Sequence, residues 1–152
     1  MSIIRIKKDE LVSIKDLWEK LRNIHFKDSR YLKDRYRHMT FENRCQKFEL
    51  IDDENLLIEV IDTDGIRVAY CISSYLKGIG EIDSLFVEDS HRNKGYGKKL
   101  VESAVKWLNQ KECNKIVLSV ADGHESVLPF YEKMGFYPES TLLQLMKSNH
   151  LV

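Results

Sequence analysis

Cysteine is scarce. Cys45, Cys71 and Cys113 are the three thiols of the 152-residue chain, an odd number set far apart. No second metal ligand stands at C-x-x-C or similar spacing, and no disulfide framework suits them, so they point to free buried thiols in a reducing compartment. Net charge is missing too, with 24 Lys and Arg against 24 Asp and Glu. Without an overall basic field, nucleic acid and anionic membrane are poor partners, and any basic patch must act locally. No apolar run approaches the ~20 residues that span a bilayer. The amino end lacks the apolar stretch and small-residue cleavage site of a signal peptide. A cytoplasmic protein with no nucleic-acid and no membrane partner is expected. Repeats, low-complexity tracts and Pro/Gly/Ser linkers are absent as well, so one domain is expected over residues 1–152. At that length a chain buries on the order of 70% of its unfolded surface.

What is present is strong patterning. Ile3 to Ile6 reads as a short strand. Leu11, Ile14, Leu17, Trp18, Leu21 and Ile24 recur at helical spacing. Between 28 and 49 a charged segment carries Tyr31, Leu32, Tyr36, Met39, Phe41, Cys45 and Phe48 as a second helical stripe, with Thr40 a candidate cap at a break. "LLIEVID" and "IRVAYCISSYL" flank Thr63-Asp64-Gly65, and Asp-Gly between β-rich runs signals a hairpin. "GIGEIDSLFV" follows as a further strand after Lys77-Gly78. Leu100, Val101, Ala104, Val105 and Leu108 mark a helix, "KIVLSV" is an apolar strand of parallel type, residues 124 to 134 form a helix ending at Gly135, and "TLLQLMK" supplies a last strand. The expected order is β-α-α-β-β-β-α-β-α-β, a mixed α/β (α+β) fold with a mostly antiparallel central sheet flanked by helices.

The stretch "HRNKGYGKKL", His91 to Leu100, sets four basic residues and two glycines at the start of a helix. Free N–H groups and partial positive charge there suit a phosphate. The P-loop pattern fails because Gly97-Lys98 is followed by Lys99 and no glycine stands five residues before Gly97. The dinucleotide pattern G-x-G-x-x-G fails because Leu100 occupies its third glycine. Arg-x-x-Gly-x-Gly, from Arg92 to Gly97, does fit. With "EIDSLFVEDSHRNKGYGKKLVESAVKWL" and the downstream "HESVLPFYEKMGF", the chain resembles the GNAT superfamily of acetyl-CoA-dependent N-acetyltransferases. The specific motifs lie between Gly80 and Tyr137.

The resemblance implies that the main chain of Leu85, Phe86 and Val87 pairs with the pantetheine arm of acetyl-CoA like an added strand. It also implies that Arg92, Asn93, Lys94, Gly95, Tyr96, Gly97 and Lys98 cradle the pyrophosphate. Glycines let amides approach oxygen, and Arg92 and Lys94 neutralise charge. His124 stands where the family has Asn, and Val127 where it has Ala. A ring nitrogen of His124 can donate to the cofactor, and a lone His at a helix start also serves as a cap or surface residue.

Acetyl transfer to an amine needs a base, because alkylamines are protonated at neutral pH. Glu81, on the strand before the loop, is the expected base, acting through water, with Asp83 two residues on as the reserve. A backbone N–H near Phe86, freed by a bulge, is the expected oxyanion donor. Tyr131 is implied as the group serving the leaving thiolate, and as a cofactor contact. Residues 25 to 36 are implied in acceptor selection, and no metal is called for. The family leaves room for a homodimer. Two other readings stand beside the enzyme: a non-catalytic acyl-CoA-binding module of the same fold, and a protein-interaction domain whose glycine loop only turns the chain.

Overall fold

A computed structural model describes residues 1–146. Five strands form one sheet in the order β1 (Ser2–Ile6), β2 (Leu56–Thr63), β3 (Ile66–Leu76), β4 (Ile79–Val87) and β5 (Lys115–Leu118). The first four are antiparallel neighbours, and β5 lies parallel to β4. Two tight hairpins build the meander. Asp64 and Gly65 have φ of 52° and 76°, and Lys77 and Gly78 have 52° and 84°. Positive φ at both central residues is the turn that matches strand twist, which is why glycine ends each pair.

Helices α1 (Lys15–Asp28), α2 (Lys33–His38) and α3 (Phe41–Glu49) precede β2. The charged segment breaks where Thr40 caps α3, its hydroxyl accepting from the Asn43 amide at 3.1 Å. The two expected early helices are therefore three, with a 3-10 stretch at Lys8–Ile14 ahead of them. Helix α4 (Tyr96–Gln110) joins β4 to β5, and α5 (Leu128–Lys133) follows a 3-10 turn at Glu125–Val127. Gly135, at φ 94°, releases the chain after α5.

Strand alternation sends side chains to two cores. Tyr70 and Ile72 of β3 join Ile58 and Val60 of β2 under Leu17, Trp18, Phe41 and Phe48 of α1 and α3. Ala69 and Cys71 join Leu57 and Ile61 under Leu100, Val101 and Ala104 of α4. A sheet covered on both faces explains why β2 and β3 read as near-continuous apolar runs.

The expected last strand differs. Residues 141 to 146 of "TLLQLMK" have no regular structure, and Lys147 lies outside the described residues. Leu142, Leu143 and Leu145 are exposed. An ion pair of Glu139 with Lys115 and a hydrogen bond from Arg35 to Gln144 hold this tail instead of ladder bonds. Apolar alternation makes a strand only when a neighbour supplies the partner groups.

Candidate active site

Strands β4 and β5 pair only from Ile79↔Lys115 to Ile82↔Leu118, and β4 then runs on to Val87 against β3 alone. The cause lies in one residue. Ile72 pairs with Ser84 and Ser73 with Ile82, so Asp83 is an extra residue with no partner. Such a bulge bends its strand and inverts the alternation beyond it. Before it, Ile82 faces α4; after it, Phe86 faces α1 while Leu85 and Val87 face α4. The strands separate there into a cleft of about 960 Å³.

The cleft is lined by main chain that has lost its neighbour. Glu88 donates its amide to Val68 O at 2.8 Å, so alternation turns the N–H and C=O of Phe86 toward β3 and those of Leu85 and Val87 toward the open side. Arg92 Nε takes up Val87 O at 3.1 Å. The expected oxyanion donor near Phe86 is thereby narrowed to the neighbours of that residue, not Phe86 itself. Its amide is committed to β3, the bulge sits three residues earlier, and the open amides are those of Leu85 and Val87.

At one end of the cleft the 92–98 loop meets α4. Asn93 and Gly95 adopt φ of 65° and 81°, and Gly95 caps the helix. The first amide to find an acceptor within this turn is that of Lys99, to Gly95 O at 3.1 Å, so those of Tyr96, Gly97 and Lys98 have none in the helix. Arg92, Asn93, Gly95, Tyr96, Gly97 and Lys98 all line the cleft. Lys94 is exposed and stands outside the lining. The Arg92 guanidinium lies back over the Phe86 ring at 5.7 Å. A Cβ on Gly97 would meet Phe130 at 3.5 Å and Val87 at 3.8 Å, so any longer side chain there enters the cleft.

Tyr131 projects from α5 between Phe130 and Phe136, edge to face with each at 4.9 and 6.1 Å. Burial pushes its phenol up to about 12, so it is a neutral donor near pH 7. His124 also lines the cleft, one turn ahead of α5.

The expected base stands elsewhere. Glu81 does not line the cleft; its carboxylate pairs with Lys47 Nζ at 2.9 Å, 32% exposed. Asp83 does line it, but its side chain is fully buried, bound to the same Lys47 ammonium and to Ser74 Oγ at 2.6 Å. Burial raises the Asp83 pKa, against these hydrogen bonds. For Lys47 burial works downward, and the bonds it donates to Asp83 and Glu81 outweigh it. Both carboxylates are thus tied into one ionic cluster under the bulge. Sequence reasoning missed Lys47, which looks like an ordinary surface lysine of an amphipathic helix.

The opposite wall is α1 and the loop after it. Asp122, beyond β5, accepts from the amides of Arg30 at 2.8 Å and Tyr31 at 3.1 Å, from Ser29 Oγ at 3.1 Å and from Arg30 Nε at 2.8 Å. Partial burial opposes ionisation, yet these donors hold its carboxyl at about 2. Gly123 is required beside it, since a Cβ there would lie 2.1 Å from Asp28 O. The segment 25–36 is therefore fastened to the loop that carries His124. His25 of α1 lies against His124, ring centroids 4.9 Å apart, and stacks on Tyr36 at 5.2 Å. His25 follows the last position of the α1 stripe, four residues after Leu21, and nothing in the sequence sets it apart within the 25–36 segment. Among the described residues no group of three or more His, Cys, Asp or Glu side chains could hold a metal ion. No helix among them is long and apolar enough to cross a membrane.

Known proteins share this architecture. The tetramutant of BH1408 from Bacillus halodurans superposes with a TM-score of 0.77 at 19% identity, covering 96% of this chain and 99% of that one. AAC(6')-Iy in complex with the bisubstrate analogue CoA-S-monomethyl-acetylneamine gives 0.69 at 17% identity, covering 96% and 97%. In sequence, 69 residues are 35% identical to glucosamine 6-phosphate N-acetyltransferase of Trypanosoma brucei brucei, 45% of each chain. Another 57-residue match, 39% identical, joins N-alpha-acetyltransferase 30 of Saccharomyces cerevisiae over 38% of this chain and 32% of that protein. The chain thus matches less than half the length of these curated relatives. The family model described as Acetyltransferase (GNAT) family matches residues 18–136. With most of its length inside that model, and with the fold these structures share, the chain belongs to the GNAT acetyltransferase family.

Proposed function

We propose that this protein is an N-acetyltransferase that moves the acetyl group of acetyl-CoA to a primary amine of a small molecule or protein, by direct attack in a ternary complex. The observation that carries the reading is the break between β4 and β5. It leaves the main chain of Leu85 and the amide of Val87 open beside unpaired amides at the start of α4. An extended amide-bearing arm such as pantetheine satisfies a bare strand edge, and a pyrophosphate satisfies a helix start. The cradle suits that group: Gly97 adds no bulk where the anion approaches, and Asn93 and Gly95 hold the backbone left-handed so that successive amides converge.

Each of the chain's own groups has a task in that reaction. Leu85, Phe86 and Val87 orient the thioester, and an open amide of Leu85 or Val87 stabilises the oxyanion. Arg92, Asn93 and Gly95 to Lys98 hold the phosphates, with Lys94 contributing charge from outside. Tyr131 donates to the sulfur as it leaves, a role its neutral hydroxyl suits.

The test is Gly97→Glu, which sets a bulky anion in the cradle. Calorimetry is expected to find acetyl-CoA binding nearly abolished while circular dichroism stays native. Wild-type protein should release coenzyme A from acetyl-CoA when a panel of primary amines is supplied. Unchanged affinity in a folded Gly97→Glu protein rejects the cradle, and with it this function.

A further inference from the structure

The reaction proposed above needs a proton acceptor for the amine, and the carboxylates of the site are occupied. Glu81 lies outside the cleft on Lys47, and both Asp83 oxygens are engaged. Asp122 and Glu125 are held by Arg30, and Asp28 sits at the exposed rim. The cleft is also lined by three imidazoles. His91 has both nitrogens bonded, to Ser90 at 2.8 Å and Thr63 at 3.4 Å. His25 and His124 form the remaining pair, 4.9 Å apart at an angle of 75°. His25 Nδ1 is buried and has no hydrogen-bond partner among the described residues. A lone buried polar atom of that kind is costly unless another group completes it, which points to a ligand-facing function.

We propose that His124 is the base that takes the proton from the acceptor's ammonium group, and that His25 is a positioning residue that holds its ring. The proposal rests on the acetyltransferase reading. In the step, an imidazole nitrogen of His124 receives one proton from the ammonium, leaving a free amine. The amine lone pair forms the C–N bond at the thioester carbonyl and the C–S bond breaks. The second nitrogen proton passes to sulfur by way of the Tyr131 hydroxyl, giving amide and thiol, and His124 returns its proton to water.

The pairing favours this division of labour. Burial, and then the charge of His124, push His25 down to about 4, against the pull of Asp28. His25 is therefore neutral near pH 7, an uncharged ring packed against His124. Tyr36 from α2 stacks on the His25 ring, and the Asp28 carboxylate from the end of α1 acts on it from the rim. His124 and Tyr131 sit on the same stretch that enters and forms α5, and both line the cleft.

The experiment compares wild type, His124→Asn, His124→Ala and His25→Asn by coenzyme A release against pH, using the primary amine that wild type turns over fastest. Acetyl-CoA affinity is measured in parallel. His124→Asn is expected to lower kcat/KM by about 10²-fold at neutral pH, the size of a general-base contribution. Its rate should then follow the free-amine fraction, climbing about tenfold per pH unit toward ~10, while wild type levels off above the imidazole range. Added imidazole should restore part of the activity of His124→Ala, and His25→Asn should displace the acid limb and lower kcat by less than His124→Asn does. A loss below about threefold with the wild-type limb intact overturns the proposal. So does a loss that appears wholly as weaker acetyl-CoA binding, which makes His124 a cofactor contact. Absence of coenzyme A release from wild type with every amine overturns the acetyltransferase reading itself, and is separately visible.

Discussion

Tyr131 has one usable property at neutral pH, an un-ionised hydroxyl in an aromatic setting. With its phenol pushed up to about 12 it can donate, and it cannot serve as a base. Tyr131→Phe keeps the ring that packs against Phe130 and Phe136 and deletes only the donor. The lost bond strengthens as charge gathers on sulfur, so the effect should fall on kcat. We expect about a tenfold or larger fall, with near-normal acetyl-CoA affinity, because removal of a transition-state donor costs on the order of 10²-fold and a thiolate needs less help than an alkoxide. Full activity of Tyr131→Phe at pH 7 returns the residue to simple packing. At this scale legibility depended on locality. Tyr131 was visible through its place in "FYEKMGF". Lys47 was not, because its partners lie 34 and 36 residues away. Nor was the His25 and His124 contact, which exists only once α1 and the loop after β5 meet.

Elements were legible where a short signal determines the backbone. Asp64-Gly65, Thr40 and Gly135 each act within a few residues, and each marks the boundary expected of it. The bulge at Asp83 has no such signal, since it comes from pairing with β3. The tail at 141–146 failed for the opposite reason: its alternation is real, but a strand requires a neighbour. Gly95 gives the sharpest element-scale test. It starts α4 at φ 81°, and a Cβ there meets nothing within 4 Å. Gly95→Ala therefore introduces left-handed strain without a clash, about 1–2 kcal/mol. Urea unfolding followed by circular dichroism should show that loss, and acetyl-CoA affinity should fall with it as the amides reorient. An unchanged unfolding midpoint contradicts the strain argument.

The whole molecule is one sheet between two cores, opened at the place where β4 outruns β5. The expected α/β layout with a largely antiparallel sheet was legible because both faces of β2 and β3 are apolar and the helices carry single stripes. Filling the opening should tighten the whole fold. A ligand that binds only the native state adds RT ln(1 + [L]/Kd), so acetyl-CoA at about 100 times its dissociation constant should raise unfolding free energy by roughly 2.7 kcal/mol. Denaturant titration with and without acetyl-CoA measures this, and no stabilisation would deny that the opening is its site.

Asp83 carries a consequence for how β4 can change length. Deleting this residue would make Ile82 and Ser84 consecutive opposite Ser73 and Ile72, so Leu85 and Val87 would stay under α4 and Phe86 under α1. The chain would be one residue shorter and β4 would lose the bend that carries it away from β5. Removing any other single residue before Leu85, with the bulge kept, turns over every later side chain, because the strand repeat is two. Asp83 is therefore the one residue of β4 that both cores could spare, and what its loss would close is the opening between the strands.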